Sequence, residues 1–415
     1  MNTTNQSQTK STQVSKPGKA RGPVQRDAKD VMAELVARLS QRLEAKPTLS
    51  CDESNVDRAV EPNRDRLTVG VDLGDKWSNY CILGLDGETL VEGALQTSPH
   101  DFSEFFSAVM PARVVMEVGT HSAWARDAVA GCGHEVLVAN PRQMEGPKKR
   151  KRKNDRIDAH KLARVGRMDP QSLFPIHHRS VGVRRDLLAL RARGALVAVR
   201  TELINSTRGL VKSMGARLPK CSTQAFANKV ERELPGEVRE ILLPLVEIVK
   251  SVSESIRSYD ERIEALATEK YPQTGLLRQV KGVGPLTSLA YVLTLENPKR
   301  FTRSRDVGPY IGLVPKQEDS GDRQPQLRIS KMGDEMLRSL LVGSAQHILG
   351  PFGPDTELRR YGLRLCDRGG KNAKKRAVVA VARKLAVLLH KLWASGAVYE
   401  PLRQNIPRPA TQNAA

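Results

Sequence analysis

Strand-like alternation of apolar residues occupies one stretch of this chain, Leu67 to Asn140, so any fold must separate a small sheet from a long helical remainder. LTVGVDLG, WSNYCILGLDG and ETLVEGALQ read as three consecutive strands, with turn signals at Gly74 and at Asp86-Gly87. RVVMEV (Arg113–Val118) and HEVLVAN (His134–Asn140) add two short strands, each preceded by a helix-like segment.

Downstream the periodicity changes. Residues 183–214 and 224–270 are crowded with Leu, Val, Ala and Arg at helical spacing. Leu245, Val249, Val252, Ile256, Tyr259, Ile263 and Leu266 alternate by fours and threes, the seam of a coiled coil. An intramolecular hairpin and an intermolecular dimer bury that stripe equally well. After Tyr271 come helical LLRQVKGVGPLTSLAYVLTL, a loop-rich middle, and a basic helical end, NAKKRAVVAVARKLAVLLHKLW.

The expected organisation is therefore α/β followed by α. It comprises an N-terminal extension (1–66), an α/β domain (67–170), a helical coiled-coil region for linkage or dimerisation (180–270), a mostly helical C-terminal domain (271–402) and a polar tail (403–415). Within the extension, Val31, Leu35, Leu39 and Leu43 suggest an amphipathic helix between Val24 and Lys46. The first 25 residues and the tail have the polar composition of disordered segments.

Charge narrows the partner. Sixty-seven Lys and Arg against 46 Asp and Glu leave a net charge of +21, which favours a polyanion because each neutralised phosphate releases condensed counterions. Aromatic residues make up only 4% of the chain, so backbone contacts rather than base stacking should dominate. No uncharged apolar run is long enough for a membrane span, and MNTTNQSQTKSTQ has no signal-peptide core. Cys51, Cys81, Cys132, Cys221 and Cys366 are scattered without a CxxC pair, against a disulfide framework or a zinc site. A cytoplasmic, nucleoid-associated protein is expected.

Four carboxylates stand out. Asp72 ends the first strand, between glycines that let a ligand or another backbone approach closely. Glu117 ends the fourth strand, and Asp155 and Asp158 of NDRIDAHKLA lie three apart on one helical face. Singly, such residues are most often caps or solvated charges. In this order they form a hard-oxygen donor set suited to a pair of Mg²⁺ (or Mn²⁺) ions acting on a phosphodiester.

Six consecutive basic residues, Lys148, Lys149, Arg150, Lys151, Arg152 and Lys153, directly precede this helix and suit substrate phosphates. The same run also reads as a nuclear localisation signal. In KGVGP, Lys281, Gly282 and Gly284 suggest a helix-hairpin-helix-like turn able to hold a backbone phosphate. A plain turn between two packed helices fits equally well. The absence of a GK[ST] ending argues against nucleotide hydrolysis.

VGVDLG, VVMEVGT, NDRIDAHKLA, VKGVGPLTSLAYVL, RDVGPYIGLVPKQEDSG and RISKMGDEMLRSLL together resemble the DEDD-type transposases of the one-ten insertion-sequence family, with related Piv-type DNA invertases. The resemblance runs from about Leu67 to Leu402 and leaves the N-terminal extension outside. It implies a RuvC-like (ribonuclease-H-like) catalytic domain, a fold whose strand order the first five strands already suggest. Asp72, Glu117, Asp155 and Asp158 would be its metal ligands, and Ser320, in the loop after GLVP, its catalytic serine. Arg323, Arg328 and Lys331, with Lys316, would stabilise charge there.

The resemblance further implies DNA partners at element ends and target, a structured bridge RNA, and a homodimer or homotetramer. An insertion-sequence transposase is the first expectation. An invertase would share every catalytic residue, a RuvC-like junction nuclease would not need Ser320, and a non-enzymatic nucleic-acid-binding protein would need none of the five.

Overall fold

In a computed structural model, the chain is described over residues 29–31, 33–34, 36–37, 66–144, 155–318, 325 and 327–402. It divides into two compact units, Met1–His178 and Arg179–Ala415.

The first unit is built on five strands: β1 (Thr68–Asp72), β2 (Trp77–Leu83), β3 (Thr89–Gln96), β4 (Arg113–Glu117) and β5 (Glu135–Ala139). Their order is β3-β2-β1-β4-β5. The first three form an antiparallel meander, and β4 and β5 run parallel to β1. The parallel partners are reached through α1 (Pro99–Ala108) and α2 (Ser122–Gly131). Helix α1 starts where Ser98 accepts the Asp101 N–H at 3.1 Å, with Pro99 preset for a helical first turn.

Strand alternation splits this unit into two unlike layers. Val69, Val71, Tyr80, Ile82, Val114 and Met116 face α1 and α2, where Phe102, Phe105 and Phe106 are buried. Each such aromatic contributes on the order of 1.5–3 kcal/mol by leaving water. Val31 of the N-terminal extension is helical and joins this core, while Leu35, Leu39 and Leu43 lie outside the described residues. On the opposite face, Cys81, Leu83, Val115 and Ala139 meet α3 (Asp155–Met168) through Ala159, Ala163 and Leu162.

The second unit is helical. Helices α4 (Val181–Ser213) and α6 (Gly236–Ala265) pack side by side, with α5 (Phe226–Glu233) across their far end. They run antiparallel, because Arg193 pairs with Asp260 at 2.5 Å while Ile204 and Val211 share a cluster with Val249 and Leu242. Of the expected seam, Val249, Ile256 and Ile263 are buried. The stripe is therefore used within the chain, as a hairpin, and does not by itself call for a second copy.

The base of the hairpin (Leu187, Leu190, Ile263, Ala267) enters the main core of this unit. That core is completed by α7 (Thr274–Arg278), α8 (Pro285–Leu295), α9 (Val307–Ile311), α10 (Glu335–Leu349), α11 (Glu357–Asp367) and α12 (Ala373–Ser395). Every residue of α8 from Thr287 to Leu295 is buried, and its Tyr291 hydroxyl donates to the Ala386 carbonyl at 2.6 Å. Near the hairpin base, buried Asp186 accepts from Lys270 Nζ (2.6 Å) and the Tyr271 hydroxyl (2.5 Å). Burial pushes the Asp186 carboxyl up, but the two hydrogen bonds outweigh it and hold it below the ordinary carboxylate range. No helix among the described residues is long and apolar enough to cross a membrane.

Candidate active site and cationic cavity

Asp72 and Glu117 end neighbouring parallel strands. Their side-chain face follows from alternation: Gly70 on β1 and Val115 on β4 meet α3, so Asp72 and Glu117, each two residues on, share that face. The direction of α3 is fixed by its far end. Arg113, at the start of β4, donates to the Gly166 carbonyl at 3.3 Å, and Arg167 donates to the Arg66 carbonyl at 3.2 Å. Helix α3 thus runs against β1 and β4, and its first turn, with Asp155 and Asp158, lies at the strand ends that carry Asp72 and Glu117.

Small residues bring the helix this close. A Cβ on Gly70 would collide with the carbonyl oxygen of Ala159 and stand 2.5 Å from the amide nitrogen of Ala163. A Cβ on Gly166 would collide with Val115. Gly70 therefore serves an approach of backbone to backbone, one of the two roles expected of the glycines around Asp72.

The donor set is all oxygen, as Mg²⁺ or Mn²⁺ requires. Among the described residues, no group of three or more His, Cys, Asp or Glu side chains is already gathered as ligands. The Asp155 side chain is outside that description, and Asp158 is turned to Lys161 at 2.7 Å. Sequence reading missed a neighbouring pair. Trp124 Nε1–H donates to His121 Nδ1 (3.1 Å), which leaves the His121 Nε2 proton facing Asp75 at 3.7 Å. Both residues sit in the loops that follow β1 and β4.

His134, just before β5, is structural. Its Nδ1 accepts the Ala112 N–H at 3.1 Å and its Nε2 bonds the Phe106 carbonyl at 2.8 Å.

Ser320, Arg323 and the run Lys148–Lys153 lie outside the described residues. The base of the serine loop is described. Lys316 N–H donates to the Arg328 carbonyl (2.8 Å), Ser330 N–H to Val314 (2.8 Å) and Lys331 N–H to Gly312 (3.2 Å), so an antiparallel ladder closes residues 317–327. Lys331 holds φ at 55°, a conformation that side-chain-bearing residues seldom adopt and that is concentrated at functional sites.

Arg328 and Lys331 line a cavity of about 1440 Å³ within the second unit, as do Gln317 and Pro325. Lys281, Gly282 and Gly284 form the turn between α7 and α8. There Gly282, at φ 94°, rests against His347 and Ile348 of α10, and Gly282 and Gly284 border a separate recess of about 530 Å³.

Residues 69–215 match the DEDD transposase profile of the IS110 type, and residues 274–359 match the profile described as Transposase IS116/IS110/IS902 family. The chain belongs to this transposase family.

The first of these matches spans β1 to the end of α4, and the second spans α7 to the start of α11. The transposase is 28% identical over 340 residues to the transposase for insertion sequence element IS1111A of Coxiella burnetii, covering 80% of this chain and 90% of that one. It is 26% identical over 343 residues to a probable family 20 transposase of Pseudomonas aeruginosa, with 80% and 98% covered. It is 26% identical over 282 residues to the transposase for insertion sequence element IS1328 of Yersinia enterocolitica, with 67% and 82% covered.

Proposed function

We propose that this transposase cuts and rejoins DNA through a covalent bond between Ser320 and a DNA end. Mg²⁺ or Mn²⁺ would be held by Asp72, Glu117, Asp155 and Asp158 of a RuvC-like domain. The observation that carries the reading is the course of α3 against β1 and β4, which brings the DxxD turn to the sheet end where Asp72 and Glu117 point. The strand order β3-β2-β1-β4-β5 supports the RuvC-like assignment. In this reading residues 67–170 supply the carboxylates and 271–402 the serine.

The atoms balance without an outside reagent. Ser320 Oγ forms a bond to phosphorus as the phosphorus–oxygen bond to one sugar breaks, and the released sugar hydroxyl takes the proton. Rejoining reverses the step with the hydroxyl of another strand, so the phosphodiester is conserved rather than lost to water. A bound divalent cation would supply charge stabilisation to the phosphoryl oxygens. Lys316, Arg328 and Lys331, at the base of the serine loop, counter the same charge from the protein side. The proposal includes a structured bridge RNA that pairs with DNA, and a homodimer or homotetramer.

The test is to trap a protein–DNA adduct with Mg²⁺, element-end DNA and the RNA that co-purifies with the protein. Wild type is compared with Ser320→Ala, each with and without ribonuclease treatment. The expected result is an adduct that disappears in Ser320→Ala and requires the RNA. Cleavage that persists in Ser320→Ala without adduct would instead make the chain a metal-dependent nuclease, and an RNA-independent adduct would remove the guide.

A further inference from the structure

The cavity beside the serine loop carries more cations than the proposed chemistry uses. Ten Lys and Arg line it against two acids, Glu357 and Glu400. Half of these cations come from one helix. On α12, Lys375 and Arg376, then Arg383 and Lys384, then Lys391 all face the cavity, and the apolar pairs Val379-Ala380 and Val387-Leu388 alternate with them. Eight residues of helix rise about 12 Å, so the cationic steps are spaced by roughly three to four base-pair rises of a duplex.

Lys316, Arg328 and Lys331, from the ladder at the base of the serine loop, line the cavity too, so its cations come from separate segments of the chain. Two details fix side chains of α12 in place. Lys384 Nζ sits 3.9 Å from the ring centroid of Tyr361, and Arg383 lies against Gly308, where a Cβ would stand 3.2 Å from its Nε. The volume, about 1440 Å³, exceeds the roughly 300–1,000 Å³ of pockets that hold a small molecule. Apolar pairs alternating with cations along α12 suit a ligand whose charge is regularly repeated and whose remainder is sugar and base.

We propose that this groove holds a nucleic-acid strand, with Lys375, Arg376, Arg383 and Lys384 of α12 as positioning residues that grip its phosphates beside the loop of residues 317–327. The inference rests on the proposed function only for the class of ligand. The shared chemistry is the phosphodiester, and the source, DNA or RNA, single-stranded or duplex, is read by experiment.

Fluorescein-labelled single-stranded DNA of mixed sequence, the same DNA as duplex, and RNA of the same sequence would be titrated with the full chain by anisotropy over a range of salt. The probe that the groove holds should lose at least about tenfold in affinity to K375A/R376A/R383A/K384A. Its log K against log salt slope should fall by up to about 2.8 for a single strand or about 3.6 for a duplex, the loss of four phosphate contacts.

The charge-keeping variant K375R/R376K/R383K/K384R should retain the slope. Should the fourfold variant fail to fold, K375A/R376A and R383A/K384A read separately must each give about half the change. Unchanged affinity and slope for every probe would overturn the proposal. So would an equal loss in R239A/K250A/R257A/R262A, four exposed cations of α6. A protein that binds through α12 yet forms no serine adduct would leave the groove standing and remove the recombinase chemistry. An undiminished adduct in the fourfold variant would do the opposite.

Discussion

The carbonyl oxygen of Ala159 occupies the space that a side chain on Gly70 would need, so α3 rests on β1 backbone against backbone. Because Asp72 lies two residues beyond Gly70 and Asp158 one residue before Ala159, this contact sets the separation of the two carboxylate-bearing segments.

Gly70→Ala should therefore damage both stability and activity. The collision is with main chain, which no rotamer relieves, and overpacking of this kind costs about 1–3 kcal/mol. A lower urea midpoint and lost strand cleavage are expected. Gly131→Ala, where an added Cβ meets nothing within 4 Å, should leave both nearly unchanged. Equal behaviour of the two variants would refute the role given to the seam.

Asp158→Asn separates two uses of that carboxylate. The ion pair with Lys161 is exposed and three residues apart, a contact of at most a few tenths of a kcal/mol. A purely structural Asp158 would thus be nearly silent when neutralised. We expect thermal stability within about 0.5 kcal/mol of wild type. Metal-dependent cleavage should fall by two orders of magnitude or more, the scale on which loss of one transition-state charge contact is felt. Retained cleavage in Asp158→Asn would remove it from the metal set, while Lys161→Met should keep activity.

Asp186 gives the helical unit an acid limb. Its carboxyl is held below the ordinary range when folded, so its contribution is complete above the unfolded value near 4 and is lost as pH falls through the lowered folded value. Asp186→Asn should melt at a lower temperature at neutral pH and approach wild type in strong acid. A constant difference in melting temperature across that range would mean that its ionisation is not coupled to folding.

Periodicity in the sequence was enough to read five strands, the flanking helices and the hairpin helices, because each buries one regular face. Residues 224–270 read as a single helical stretch, whereas Pro235 separates α5 from α6. The corner formed by Asp72, Glu117 and the DxxD turn was legible as an order of carboxylates. The seam that assembles it was not, since glycine and alanine carry no periodic signal strong enough to reveal which helix they meet. The cationic cavity was less legible still. Its cations come from positions 305, 316–331 and 371–391, and only folding brings them together. One signal was present: the basic pairs Lys375-Arg376 and Arg383-Lys384 recur at a spacing of eight, about two helical turns.

The two faces of the sheet should tolerate random substitution very differently. Behind β1 and β4, the aromatic layer of Phe102, Phe105 and Phe106 can exchange one large apolar side chain for another with modest repacking. Across the front, Gly70, Ala159, Ala163 and Gly166 are already as small as side chains become, and every replacement by a larger residue is an insertion. In a saturation library, active clones should keep the front nearly invariant while the back drifts, which would outline the path of α3 without a structure.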